Sequence, residues 1–301
     1  MTGIHHKIVG LGELLWDMLP TGRQLGGAPA NFAYISNLLG NEGIVASRVG
    51  NDDLGDAAVR QLSAIGVITG PIQRDANHAT GTVRVEVDHA GQPKFEIGEG
   101  VAWDFLEWTS SWQKLAAEAD AVCFGSLAQR AETSRTTIRK FLNATRNGTV
   151  RVFDVNLRQT FYSKEVLAES MQAADIVKLN HEELPRIMEL FGIPQHEEIA
   201  AADALAEQHH LKLICVTRGC RGSLLIREGS LDEHPGYQVR VADTVGAGDA
   251  FTAGLVREYL RGTSLPVMNE TANRVGAWVA SQVGAMPSPG GDIERELARI
   301  A

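Results

Sequence analysis

The sequence lacks several features that would assign it to common functional classes. No apolar run reaches the ~18 residues of a membrane span, and the first seven residues do not form a signal peptide. The three cysteines, Cys123, Cys215 and Cys220, have no CxxC spacing, so neither a zinc site nor a disulfide framework is indicated. Cys123 and Cys215 fall in apolar, strand-like runs and are expected to be buried thiols. These absences favour a cytoplasmic protein with no membrane partner.

Basic residues are too few to indicate a nucleic-acid partner. The 301 residues include 28 Lys and Arg against 37 Asp and Glu, a net charge of −9 with histidine neutral. An acidic chain repels polyanions, so an anionic substrate would need a local positive site. Hydrophobic residues make up 44% and charged residues 22%, the balance of a folded globular chain rather than a disordered one.

Two familiar phosphate-binding motifs are also absent. GxxxxGK[ST] does not occur, which excludes a P-loop enzyme. Gly10-Leu11-Gly12 follows the first predicted strand, but the third glycine of the dinucleotide fingerprint is missing. An NAD-dependent oxidoreductase is therefore disfavoured.

The most informative stretch that is present spans residues 241–254, VADTVGAGDAFTAG, which is typical of a strand end, a tight turn and a helix start. Gly246 and Gly248 lack a Cβ, so the backbone can approach a ligand there. The unpaired N–H groups at a helix N-terminus attract anions. Asp249 could be an ordinary helix cap. Beside a phosphate-binding turn it could also be the general base that takes a proton from an attacking hydroxyl, and we favour phosphoryl transfer.

Residues 243–254 closely resemble the C-terminal signature of the ribokinase-like (PfkB) carbohydrate kinases. The upstream run Gly26–Asn31, with Gly40 and Gly50, is similar to their N-terminal signature. The resemblance covers essentially the whole chain. It implies one α/β domain over residues 1–301, with a doubly wound, mostly parallel sheet flanked by helices and a small β-sheet lid.

The pattern of residues 81–97 indicates where in the sequence the lid lies. Alternating polar and apolar residues on both sides of a turn at 88–91 predict a β-hairpin with one solvated face. We place it outside the main sheet, although an edge hairpin of that sheet is the alternative. The resemblance implies that this hairpin is part of a lid, formed by about 13–23 and 81–104, that closes on the sugar and excludes water. A homodimer through the lid is compatible with its exposed face.

Several polar residues follow predicted strands, where α/β sheets bind ligands. Asp17 follows the first strand, Asn31 begins a helix, and Asn156 and Arg158 follow a later strand. Taken alone, these could be solvated loop residues or helix caps. The resemblance implies a sugar pocket formed by Asp17, Gly26, Gly27, Asn31, Asn156 and Arg158, with Arg158 contacting the sugar or the γ-phosphate. Trp103 and Asp104 are further substrate-contact candidates, with core packing or capping as the alternative.

Nucleotide and metal sites are implied by the resemblance as well. Asn180 and Glu183 match the family motif Asn-x-x-Glu, in which Glu183 would hold Mg²⁺ through water, although the same spacing is a capping box. Either Arg218 or Arg221 could add positive charge beside the nucleotide. The nucleotide contacts implied are Thr217, Gly219, Gly222 and Asn273, and a monovalent cation such as K⁺ would lie at Asp243 and Val245.

The sequence thus predicts an ATP-dependent sugar kinase. Asp249 is the predicted base, and Gly246, Ala247 and Gly248 are predicted to present N–H groups to the transferred phosphoryl. The runs around Asp17, Gly26 and Asn156 resemble fructokinases most, so fructose is the preferred substrate. The alternatives are ribose, 2-keto-3-deoxygluconate or another sugar, and a non-catalytic sensor on the same fold.

Hydrophobic patterns further predict strands at 43–49, 67–69 and 238–241.

Overall fold

The computed structural model describes residues 5–20, 22–87, 93–194 and 197–300, apart from the side chains of residues 85–87 and 93–95. The strands are, in chain order, β1 Lys7–Leu11, β2 Leu15–Leu19, β3 Gly22–Gly26, β4 Glu42–Ala46, β5 Arg48–Gly50, β6 Gln73–Asp75, β7 Gly81–Val87, β8 Pro93–Ile97, β9 Ala121–Gly125, β10 Val150–Asp154, β11 Ile176–Asn180, β12 Leu213–Thr217, β13 Ser223–Arg227 and β14 Ser230–His234. The helices are α1 Ala28–Leu38, α2 Asp53–Ala64, α3 Ser110–Glu118, α4 Glu132–Asn143, α5 Lys164–Ala173, α6 Glu183–Phe191, α7 Glu198–His209, α8 Ala247–Leu260, α9 Leu265–Ala280 and α10 Ile293–Leu297.

An eight-stranded sheet forms the centre of the described chain, in the order β14-β13-β12-β11-β10-β9-β1-β4. The six strands β12, β11, β10, β9, β1 and β4 pair in parallel with their neighbours. Strands β13 and β14 are added at one edge in antiparallel pairs. The chain direction across the sheet reverses at β1, which pairs with β4 on one side and β9 on the other. The crevice at such a reversal, outside the carboxyl ends of the strands, is where α/β sheets bind ligands.

Both faces of this sheet are covered by helices. One buried cluster includes Trp112 and Phe141 from α3 and α4, and the other includes Phe32, Phe251 and Trp278 from α1, α8 and α9. Each large apolar side chain buried in this way contributes about 1.5–3 kcal/mol. The predicted doubly wound, mostly parallel architecture is confirmed. Across the described residues, no helix combines the length and apolarity needed to span a membrane.

A separate four-stranded sheet, in the order β3-β2-β7-β8, lies outside the main sheet. Strands β7 and β8 pair antiparallel, so the predicted hairpin is present and is not an edge of the main sheet. Its turn falls in residues 88–92, outside the described residues. The inward side chains Leu15, Val83 and Ile97 are buried. Trp103 and Asp104, just beyond this sheet, belong to the core: Trp103 is fully buried, and Asp104 accepts from Val101 N–H and pairs with Arg130.

Three strand predictions were wrong in detail. The run 43–49 is divided at Ser47, because β4 joins the main sheet while β5 pairs with β6. Residues 67–69 form only one bridge, between Ile44 and Ile68, and no strand. Residues 238–241 are irregular and largely exposed. The actual edge strand is β14, whose exposed, acidic sequence gives little strand signal.

Candidate active site

A cavity of about 770 Å³ lies between the carboxyl edge of the main sheet, the small sheet and the start of α8. The walls come from segments far apart in the sequence. Many predicted site residues line this cavity: Asp17, Gly27, Asn31, Asn156, Arg158, Asn180, Thr217, Asp243, Val245, Gly246, Gly248 and Asp249.

The glycine turn before α8 forms one wall. Gly246 is the N-cap of α8 with φ 79°, a left-handed conformation that glycine adopts without strain. A Cβ at Gly246 would also lie 2.5 Å from the Cβ of Ala285. Asp243 braces the turn, because its Oδ1 accepts from Val245 N–H at 3.0 Å and its Oδ2 from Gly284 N–H at 3.2 Å. The helix therefore starts with Ala247, Gly248 and Asp249, at the end of the helix that attracts anions.

The Asp249 carboxylate is partly buried at this helix start. Asn31 Nδ2, from α1, donates to Asp249 Oδ2 at 2.7 Å. Burial raises the pKa of Asp249 to about 6 and the nearby Asp154 adds to this, whereas Asn31, Lys178 and Arg158 act to lower it. A carboxylate with this pKa is mostly ionised at neutral pH and can accept a proton from a hydroxyl.

The opposite wall comes from the small sheet. Asp17 lies on β2, and burial raises its pKa to about 6 against the lowering effect of Arg158. A Cβ on Gly26 would lie 2.6 Å from Asp17 Oδ2, so the glycine leaves room for this carboxylate although Gly26 itself does not line the cavity. Gly27 has φ 111°, and a Cβ added there would lie 2.5 Å from the carbonyl oxygen of Glu13.

Arg158 and Asn156 enter the cavity from the loop after β10. Arg158 is exposed, its guanidinium donates to its neighbouring carbonyl at Leu157, and it makes no ion pair within the described part of the chain. Asn156 has φ 41°, a left-handed backbone that asparagine tolerates better than most residues. The loop therefore brings an unpaired cation and an amide to the site.

Glu13 also lines the cavity, and the sequence interpretation missed it. It is 3% exposed, and its buried Oε2 has no hydrogen-bond partner among the described residues. Burial raises the pKa of Glu13 to about 7, and the negative charge of Asp249 adds to this effect. The only signal in the sequence was its position directly after the first strand.

A second missed feature is the ion pair between Lys178 on β11 and Asp154 on β10. Both side chains are less than a tenth exposed, and Lys178 lines the cavity. Thr252 Oγ1, on α8, lies 3.3 Å from Asp154 Oδ2, which links the pair to the helix that carries Asp249. A lysine within the apolar run of β11 was the available signal.

Asn180 and Glu183 form the capping box that was the alternative interpretation. Asn180 Oδ1 accepts from the N–H groups of Glu182 and Glu183, while Glu183 Oε2 accepts from Asn180 N–H at 2.8 Å. Glu183 Oε1 accepts from Leu157 N–H at 2.8 Å, so both carboxylate oxygens are already engaged. Glu183 is buried and does not line the cavity, and the described residues contain no cluster of three or more His, Cys, Asp or Glu side chains able to hold a metal. The water-mediated Mg²⁺ role of Glu183 stays a prediction.

Some predicted nucleotide residues lie elsewhere. Gly219 and Gly222 belong to the turn between β12 and β13, and Gly222 packs against the backbone of residues 234–236. Asn273 is buried and donates to Ser223 and Asn269, outside the cavity. Arg218 is neutralised by Glu198 and Glu233, and Ala247 does not line the cavity. Nucleotide contacts at Gly219, Gly222 and Asn273 stay predictions.

A mostly parallel sheet, a cleft at its reversal point and an anion-attracting helix start beside a carboxylate are the elements expected of an α/β phosphotransferase. A family model described as pfkB family carbohydrate kinase matches residues 17–289. The chain belongs to this family and is an ATP-dependent sugar kinase.

Relatives and solved structures agree with this assignment. A fructokinase from Escherichia coli is 34% identical over 302 residues, covering 93% of this chain and 95% of the relative. The crystal structure of an uncharacterized sugar kinase from Pyrococcus horikoshii in complex with ATP has a TM-score of 0.80 and 30% identity, covering 98% of this chain and all of that one. A fructokinase from Vibrio cholerae with fructose, ADP and calcium has a TM-score of 0.77 at 24% identity over 93% and 94% of the two chains, and shows the shared fold.

Proposed function

We propose that this protein is a fructokinase, with Asp249 as the general base. The observation that carries the proposal is the position of Asp249: its carboxylate is held by Asn31, faces the cavity and stands at the start of α8. A base placed there meets both a sugar hydroxyl and the phosphoryl group that the helix start attracts.

In this mechanism Asp249 takes the proton of the attacking hydroxyl. A bond forms between the sugar oxygen and the γ-phosphorus as the bond from that phosphorus to the ADP oxygen breaks. The backbone N–H groups of Gly246 and Gly248, which line the cavity, would face the charge on the transferred group. The N–H of Ala247 was predicted to do the same, but it donates to Thr244 O within the turn. Arg158 supplies a planar cation suited to phosphate or to sugar hydroxyls.

Sugar hydroxyls would be bound by Asp17, Asn31 and Asn156, which line the cavity as hydrogen-bonding groups. Gly26 and Gly27 give the space for them. The same wall favours a neutral sugar over a sugar acid, because the Asp17 carboxylate, which is mostly ionised at neutral pH, would repel an acidic substrate. The fructokinase from Escherichia coli, similar over nearly the whole chain, supports fructose among the neutral sugars.

The nucleotide phosphates would approach Thr217 and Asn180, which line the cavity beside the glycine turn. We place Mg²⁺ on the phosphates and water, with Glu183 acting only through water, because each of its carboxylate oxygens already accepts a backbone N–H and the side chain does not line the cavity. A monovalent cation such as K⁺ would bind backbone oxygens at Asp243 and Val245, in the turn braced by the Asp243 carboxylate. When bound, Mg²⁺ would neutralise part of the negative charge on the phosphates.

The small sheet, with the segments 13–23 and 81–104 that form it, would act as a lid over the cavity. It contributes Asp17, Val83 and Ile97 to the cavity, so its movement would open or close the sugar side. Closure would exclude water, which competes with the sugar for the phosphoryl group. We further propose that two copies of the protein pair through this sheet to form a homodimer.

A coupled assay of ADP release across fructose, ribose, other neutral sugars and 2-keto-3-deoxygluconate tests the substrate. We expect fructose to give the highest kcat/KM, because a pocket built on hydroxyl hydrogen bonds discriminates strongly against sugars that leave its polar groups unpaired. Another sugar ranking well above fructose would replace fructose as the substrate. Absence of sugar-dependent ADP release would remove the proposed function.

A further inference from the structure

A buried lysine lies directly beneath the glycine turn. Lys178 stands near the carboxyl end of β11, and 8% of its side chain is exposed. Its Nζ lies 3.1 Å from each carboxylate oxygen of Asp154. A Cβ placed on Gly248 would stand 3.1 Å from the same Nζ, so the ammonium lies against the backbone from which α8 starts.

Stability alone gives little reason for this ion pair. Taking two charges out of water costs about as much as their attraction returns, and well-packed hydrophobic side chains often stabilise a protein equally well. The other central residues of β11, Val177 and Leu179, are fully buried and apolar. A charged residue at position 178 therefore calls for a role in the site.

The surroundings of Lys178 keep it charged and leave it able to bind. Burial acts to lower its pKa, but the carboxylates of Asp154, Glu183 and Asp249 outweigh burial and raise it above its ordinary value. An ammonium has three N–H donors. Asp154 is its one hydrogen-bond partner among the residues that the structure describes, and Lys178 also lines the cavity. One donor thus remains for a ligand.

We propose that Lys178 donates to a terminal phosphate oxygen of the bound nucleotide and holds the phosphoryl group against the turn at Gly248. This inference rests on the proposed function, which places the nucleotide phosphates at the same turn. Asp154 is then a positioning residue, since it fixes Nζ through both of its oxygens and is itself tied to α8 through Thr252. A dehydrated, fixed cation attracts phosphate more strongly than a solvated surface lysine, because water does not screen it.

The test compares Lys178→Met with the double variant Asp154→Asn/Lys178→Met. The single variant strands a buried carboxylate and risks unfolding, whereas the double variant removes both charges together. Lys212→Met is the matched control, because Lys212 pairs with Asp175 at 3.0 Å at the opposite edge of the same sheet. Circular dichroism and thermal unfolding establish that each variant folds, and kcat and KM are measured with the best sugar of the panel.

We expect the folded double variant to lose about 10²-fold in kcat, the order found when one donor to a developing oxyanion is removed, while Lys212→Met stays near wild type. Recovery of near-wild-type kcat in the double variant would mean that Lys178 serves only to balance Asp154, and would overturn the inference.

A binding measurement without sugar separates this inference from the proposed function. Calorimetry with ADP and with a non-hydrolysable ATP analogue should show that the double variant loses affinity for the analogue about tenfold more than for ADP. An unchanged ratio of the two affinities would contradict a terminal phosphate contact. If the wild-type protein phosphorylates no sugar, the proposed function fails, but the nucleotide affinities still report on Lys178.

Discussion

Opposing influences set the pKa of Asp249. Burial and Asp154 raise it to about 6 from an ordinary 3.8, while Asn31, Lys178 and Arg158 hold it from rising further. A carboxylate that titrates just below neutral pH is ionised under working conditions and yet basic enough to take a proton in the transition state. The amide of Asn31 is the direct contact in this set, at 2.7 Å.

The pH dependence of turnover follows from this arrangement. Asp249 must be ionised to act as the base, so kcat/KM should fall about tenfold per pH unit as the pH decreases below about 6. In Asn31→Ala the carboxylate loses a hydrogen-bond donor, so its pKa rises and the acid limb should move to higher pH. A pH profile of kcat/KM for both proteins checks this.

A matched control exists on the same helix. Asn37 is also on α1 but does not line the cavity, so Asn37→Ala should leave the acid limb in place. If the limb stays unchanged in Asn31→Ala as well, a group other than Asp249, such as Asp17 with its similar pKa, controls the profile.

Single residues were predictable from the sequence where a local motif carries them. Asp249 and Gly246 stand in one continuous stretch whose turn chemistry is legible without the fold. Lys178 and Glu13 were not predictable, because their importance comes from strand pairing and burial against distant segments. A lysine in an apolar run shows only that it needs a partner; the pairing of β10 with β11 supplies Asp154.

At the scale of the elements, the turn into α8 places two geometric requirements on Gly246. Gly246 combines a left-handed φ of 79° with contact to Ala285, so both its conformation and its lack of a side chain are used. At the other end of the same helix, Gly262 has a similar φ of 67°, but no atom of the described chain lies within 4 Å of an added Cβ. Comparing substitutions at the two glycines therefore distinguishes the effect of backbone strain from the effect of displacing the turn.

Alanine substitutions at these two glycines test that distinction. Gly262→Ala should destabilise the protein by about 1–2 kcal/mol, because alanine is strained in the left-handed region. Gly246→Ala should destabilise it by more, because its Cβ would also lie 2.5 Å from the Cβ of Ala285. Gly246→Ala should in addition lower kcat by at least about tenfold, since the added Cβ displaces the turn from Ala285. Thermal unfolding and steady-state kinetics measure the two effects. Equal kcat values for the two variants would show that the turn is not needed for turnover.

The strands that could be predicted from the sequence differ from those that could not in where they lie in the sheet. Central strands such as β9 and β12 are continuous apolar runs and were placed within one or two residues of their bounds. Edge strands carry no such pattern: β14 reads SLDEH and is mostly exposed, whereas the alternating residues 238–241 look like a strand and are irregular. Pairing partners, not local propensity, decide such segments.

At the scale of the whole molecule, the cavity exists because two sheets and two helix starts meet at the reversal point beside β1. Asp17 comes from the small sheet, Asn31 from α1, Arg158 from the loop after β10 and Asp249 from α8. The position of the small sheet outside the main one was predictable from the switch between buried and alternating patterns. The convergence of four distant segments on one cavity was not, because it follows from the sheet order and the packing of α1 against α8.

The central claim is that Asp249 removes the hydroxyl proton during phosphoryl transfer, and Asp249→Asn tests it most directly. The variant keeps the size of the side chain but cannot accept the proton. With ATP and fructose binding measured by calorimetry and turnover by ADP release, we expect nearly unchanged affinities and a kcat lowered about 10²- to 10⁴-fold. A kcat close to wild type in a folded Asp249→Asn protein would contradict it.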